Sequence, residues 1–171
     1  LNAGLSFGDG RQALLNLYGN YISSKGKIKN QDYSILSVKG NGSYFTNGNE
    51  IYASAEISRR QYYLYGYDHT IYDFKKDQIR QQFQEVDVVA GFRNTRKNML
   101  GIHYNPSLRL NFFTNKSLLS ETTFAAVLPA EKSFGDKVAF KVEARFDFTN
   151  YATKNLPINN FNFSNNLIQV A

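Results

Sequence analysis

The sequence predicts an all-β fold: an antiparallel up-and-down transmembrane β-barrel, of which these residues make a single segment of about nine strands within a larger barrel. Three observations predict it. Apolar and polar residues alternate with a period of two in nearly every segment, which places them on opposite sides of a strand and scatters them around a helix. Several alternating segments run to about 11–14 residues, where average strands have 5–6 and a tilted strand crosses a bilayer in about 9–11. Aromatic residues, 12 Tyr and 14 Phe with no Trp, fill those segments, and Asn and Gly sit between them, as in aromatic-rich strands joined by turns.

The elements follow in order. Residues 1–7, LNAGLSF, read as a short first strand. In 11–23, Ala13, Leu15, Leu17 and Tyr21 share a face. In 34–45, Leu36, Val38 and Tyr44 oppose Ser37, Lys39, Asn41 and Ser43. In 50–63, Ile51, Ala53, Ala55 and Ile57 oppose Ser54, Glu56 and Ser58. In 81–92, Val86, Val88, Ala90 and Phe92 oppose Glu85 and Asp87. Residues 100–112 carry Leu100, Ile102, Tyr104, Leu108, Leu110 and Phe112 on one side, and 119–128 and 160–170 complete the set with 137–148 between them. That last segment, KVAFKVEARFDF, separates most fully: Val138, Phe140, Val142, Ala144, Phe146 and Phe148 against Lys137, Lys141, Glu143, Arg145 and Asp147. The polar stretch 72–85 is the best place for a short helical turn.

GDG (8–10) and NGN (47–49) have hairpin-turn chemistry, and RNTRKN (93–98) reads as a third short connection. SKGKIKNQDY (24–33) and 64–80 read as long loops. In a meander, alternate connections lie at the same end. Short turns at one end and long loops at the other are the pattern of outer-membrane barrels.

Composition narrows the function. The 171 residues carry a net charge of +6 in small groups rather than one basic tract, and no Cys, so neither a disulfide framework nor a thiolate metal site is available. No apolar run approaches the length of a membrane helix. No signal peptide is visible from Leu1 onward; if the protein is exported, its signal lies upstream. His69 and His103 have no ligand spacing around them, and no nucleophile is tied to Asp68–His69. No catalytic role, metal or cofactor is expected. Nucleic acid is not an expected partner either, because the aromatics continue along whole strands instead of clustering with basic residues.

The stretch SRRQYYLYGYDHTIYDF (58–74) concentrates tyrosines where a long strand enters a long loop. Amphipathic rings gather at the membrane–water interface of barrels. Alternation puts Tyr63 and Tyr65 on the apolar side as lipid-interface residues and Tyr62 on the interior side. The same alternation assigns Glu85, Asp87, Lys141, Glu143, Arg145 and Asp147 to the lumen.

The series SSKGKIKNQDYS, SYFTNGNEIYASAEISRRQYYLYGYD and IRQQFQEVDVVAGFRN, over roughly residues 12–95, resembles the barrel portion of Bacteroidota outer-membrane proteins of the TonB-dependent receptor-like kind. The resemblance implies the bacterial outer membrane as location, outer-membrane lipid as partner, and other outer-membrane or periplasmic subunits as neighbours. It implies a transport role, porin or receptor-like, or a structural role in an envelope complex. The alternative is a soluble secreted or periplasmic β-sandwich or barrel that binds carbohydrate or protein through aromatic loops.

Overall fold

Alternation along the chain becomes one antiparallel sheet. The computed structural model describes residues 1–96, 98–116, 119–134 and 138–153, and the backbone of 162–170. Its strands are β1 (Asn2–Gly8), β2 (Ala13–Lys25), β3 (Asp32–Thr46), β4 (Asn49–Tyr63), β5 (Arg80–Asn94), β6 (Ile102–Tyr104), β7 (Ser107–Asn115), β8 (Leu119–Phe134), β9 (Val138–Thr153) and β10 (Asn162–Val170), with one helical turn, α1 (Lys76–Ile79), before β5. The order across the sheet is β1-β2-β3-β4-β5-β7-β8-β9-β10, a meander, with β6 set against β8. β1 and β10 are its edges. No ladder joins them among the described residues, so the sheet is open.

The expected strands are all present, and most are longer than the alternation alone marks. β8 and β9 each have 16 residues. The segment 100–112 is the exception: it divides into β6 and β7 at Asn105–Pro106. Both pieces keep one register against β8, with Tyr104 opposite Ala130 and Ser107 opposite Val127. Proline has no N–H to give the ladder, and the break falls where Pro106 and Pro129 come close together in the register. The Asn94 side chain closes the gap. It donates to the Arg96 and Ile102 carbonyls at 2.9 and 2.8 Å and accepts from the Tyr104 N–H at 2.9 Å.

The loop lengths need correction. β2 and β3 stay paired out to Lys25 and Asp32, so the expected long loop 24–33 shrinks to 26–31. The expected short turn at 93–98 runs instead through 95–101 into β6. The turn at 47–48 is tight, with only Gly48 at positive φ (88°), a conformation that glycine adopts without strain. In the 9–12 turn, the Asp9 carboxylate accepts from the amides of Arg11 and Gln12, both at 2.9 Å. The connections expected near 114–117, 130–136 and 151–160 lie partly outside the described residues.

The 64–79 connection is the long one, and it folds onto 26–31 as a meander demands. Lys29 pairs with Asp73 (3.3 Å), Lys76 with Asp32 (2.6 Å), and Asn30 donates to the Tyr67 hydroxyl (3.4 Å). Tyr67 also packs on Phe74 and His69, with ring centres 5.0 and 4.2 Å away.

The sheet has almost no interior. Among the described residues, Ile79 and Ala125 are the only buried apolar ones, and no large side chain is fully buried. Folding a chain of this size normally hides most of its apolar surface.

Candidate functional site

The two faces of the sheet carry opposite chemistry. One row of neighbours runs Leu15, Gly42, Ala53, Ala90, Leu108, Ala126, Phe146; the next runs Leu17, Gly40, Ala55, Val88, Leu110, Phe124, Phe148. Phe7 and Leu5 of β1 extend these rows. No polar side chain interrupts either row across eight strands. Most of the large side chains in these rows are exposed: Leu15 at 45%, Leu108 at 51% and Phe148 at 44%. Among the described side chains of the strands, charges on this face occur only at its rims. Lys25, Asp32, Arg59 and Arg80 lie at the long-loop end and Lys132 at the other.

The opposite face carries the charged pairs and, on β4, is the more enclosed. In β4, Tyr52, Ser54, Glu56 and Ser58 are half-buried while Ile51, Ala53, Ala55 and Ile57 between them are exposed. A water-soluble sheet shows the reverse, apolar in and polar out. Cross-strand pairs tie the polar face together. Glu50, the most buried acid, accepts from Arg93 Nε and Ser43 Oγ, both at 2.7 Å. Glu56 accepts from Ser37 (2.9 Å) and pairs with Lys39 (3.7 Å). Asp87 accepts from Arg109 Nε at 2.6 Å, and Asn111 donates to Glu85 at 2.9 Å.

The residues assigned to the lumen all fall on this one face. Glu85 and Asp87 sit on β5. Lys141, Glu143, Arg145 and Asp147 sit on β9, where Lys141 pairs with Glu131 (3.2 Å) and Arg145 with Asp147 (2.6 Å). Sequence reasoning missed the partners on the other strands, above all Glu50–Arg93 and Asp87–Arg109. Their signal is register: each partner is directly opposite or one step off, and register is invisible until the pairing is known.

The tyrosine stretch divides between the faces. β4 keeps an unbroken register to its end, with Tyr62 opposite Tyr33 and Tyr63 opposite Arg80. Tyr63 therefore shares the face of Ile57, at its rim, where its hydroxyl accepts from Gln61 (2.9 Å) and Lys76 lies 4.6 Å over its ring. Arg59 is held on the same rim by Gln82, at 2.8 Å. Tyr65 lies beyond the end of β4, so strand alternation does not fix its side. Tyr62 lies on the polar face and begins an aromatic ladder: Tyr62 to Phe83 at 6.0 Å and Phe83 to Phe113 at 5.9 Å, both stacked.

The loop groups outside the sheet have definite electrostatics. Hydrogen bonds from the Thr70 hydroxyl and N–H hold the Asp68 carboxyl below its usual range. The hydrogen bond to Asp32 holds the Lys76 ammonium above its own. Among the described residues, no group of His, Asp and Glu side chains is arranged to hold a metal ion. No protein-family model, curated protein or solved structure matches the chain.

Proposed function

We propose that this sheet is part of the wall of a bacterial outer-membrane β-barrel, with its apolar face toward lipid and its polar face toward the interior. The observation that carries the reading is the inverted sheet: a continuous, largely exposed apolar face with charges confined to its rims, backed by a face that carries the cross-strand charge pairs. Strands that alternate apolar-out and polar-in are what a bilayer selects.

A second feature supports the reading. The apolar band slides along the register from strand to strand. The row through Tyr44, Ile51 and Phe92 reaches Ala144 on β9, yet the β9 apolar run continues to Val138. The row through Leu36 and Arg59 reaches Ala152, yet that run stops at Phe148. The drift is about one residue per strand. A level slab of lipid would cut strands tilted by about 35–45° in this way.

The open edges belong to the same reading. A bilayer leaves no backbone group unpaired, so β1 and β10 pair with further strands, and the segment belongs to a larger barrel. Tyr63 and Tyr65 then mark the outer interface, and Lys141, Glu143, Arg145, Asp147, Glu85 and Asp87 line the interior. The biochemical role is transport, porin or receptor-like, or structural support in an envelope complex, in keeping with the resemblance to TonB-dependent receptor-like barrels. The test is fractionation of cells expressing the full-length protein. It should remain in the outer membrane through high-salt and alkaline washes and leave only with detergent. Release into the aqueous wash would instead support the soluble aromatic-loop protein.

A further inference from the structure

Among the described residues of the strands, the polar face holds six cations, and five have acids. Lys39 pairs with Glu56, Arg93 with Glu50, Arg109 with Asp87, Lys141 with Glu131 and Arg145 with Asp147. Arg60 has no acid partner among the described residues. It is directly opposite Phe83 in the register and lines a cavity of about 700 Å³ at the long-loop end, together with Tyr62, Phe83 and Phe113. Of the acids of that cavity, Asp32 is paired with Lys76, and Glu85 accepts a hydrogen bond from the neutral Asn111 amide. The volume is in the range that holds small molecules. Arg60 is the one cation among the residues that line it, and the rings of Tyr62, Phe83 and Phe113 form part of its wall.

We propose that this cavity binds a small organic anion, with a carboxylate held by Arg60 and an attached ring seated against Tyr62, Phe83 and Phe113. A guanidinium offers a carboxylate two parallel hydrogen bonds. Neighbouring aromatic faces and edges hold a ring better than they hold an aliphatic chain of equal size. The inference uses the polar face alone, so it does not depend on lipid at the opposite face.

Three probes separate the contributions: 4-hydroxybenzoate has ring and charge, 4-hydroxybenzamide has the ring without the charge, and acetate has the charge without the ring. Titrated calorimetrically into the purified full-length protein, 4-hydroxybenzoate should bind with a millimolar or tighter Kd, about what a ligand of its size can reach. It should bind at least about tenfold more tightly than the amide or acetate. Arg60→Gln should abolish the preference for acid over amide, Arg60→Lys should retain part of it, and Phe113→Ala should weaken 4-hydroxybenzoate about tenfold. Circular dichroism would confirm that each variant is folded; if Arg60→Gln is not, the acid–amide comparison on the unaltered protein decides. No binding of 4-hydroxybenzoate, equal binding of the amide, or a preference that survives Arg60→Gln would overturn the proposal.

Discussion

At the residue scale, the polar face depends on complementary pairs more than on packing, and Glu50 shows it best. At 5% exposure its charge is tolerable because Arg93 and Ser43 both donate to it. Arg93→Leu would leave a buried carboxylate with one neutral donor, and an unsatisfied buried group of this kind costs about 1–3 kcal/mol. Urea unfolding in lipid vesicles should show that loss, and adding Glu50→Gln should recover part of it, because a neutral amide is cheaper to leave unpaired. Gly91 makes a second test. A Cβ there would fall 2.5 Å from the Tyr52 ring, whose hydroxyl donates to Asn105 at 2.8 Å. Gly91→Val should displace that ring and cost about 1–3 kcal/mol by overpacking, while Gly19→Val, with open space around it, should cost much less in the same titration. Neither Glu50–Arg93 nor Tyr52–Gly91 was legible in the sequence. Both are cross-strand neighbours, and a single chain shows which face a residue takes but not which residue stands opposite.

At the element scale, β9 separates its two faces most fully. Val142→Arg on the apolar side should cost about 2–4 kcal/mol of folding free energy in lipid vesicles if that side meets the bilayer near its midplane; Glu143→Arg, one residue on and facing the other way, should cost far less. The existence and facing of the strands were legible because a period of two survives any tertiary context that buries one face. The break at Asn105–Pro106 was hidden by an alternation that continues through it, although Pro106 was its visible cause. Loop lengths were misread at 24–33 because Lys25 and Asp32 look like loop residues yet still pair. The 64–79 loop is an element that pH should loosen from both directions. Asp68 has a depressed folded pKa, so its contribution is complete above its ordinary value of 3.8 and is lost as pH falls through the lower folded value. Lys76 has a raised folded pKa, so its contribution is complete below 10.5 and is lost as pH rises through the higher folded value. Protection of the 68–72 amides, taken relative to their intrinsic exchange rate at each pH, should therefore be high near neutrality and fall in strong acid, and Asp68→Asn should remove the acid limb of that response.

At the scale of the whole molecule, three properties go together: a sheet with almost no core among the described residues, an exposed apolar face, and open edges at β1 and β10. The meander puts 26–31 and 64–79 at one end and 9–12 and 47–48 at the other. On intact cells, added protease should cleave within 64–79 and leave 9–12 and 47–48 whole; the converse would invert the orientation. Lipid contact on the apolar face can be read directly. The 171 residues contain no Trp, so the emission that each introduced Trp adds to that of the unaltered full-length protein comes from its own position. Single tryptophans at Lys141, Val142, Arg145 and Phe146, in protein reconstituted into vesicles with brominated acyl chains, measure lipid contact at each position. Quenching should be strong at 142 and 146, on the lipid side, and weak at 141 and 145. Equal quenching at all four positions, or quenching at none, would contradict lipid contact on the apolar face.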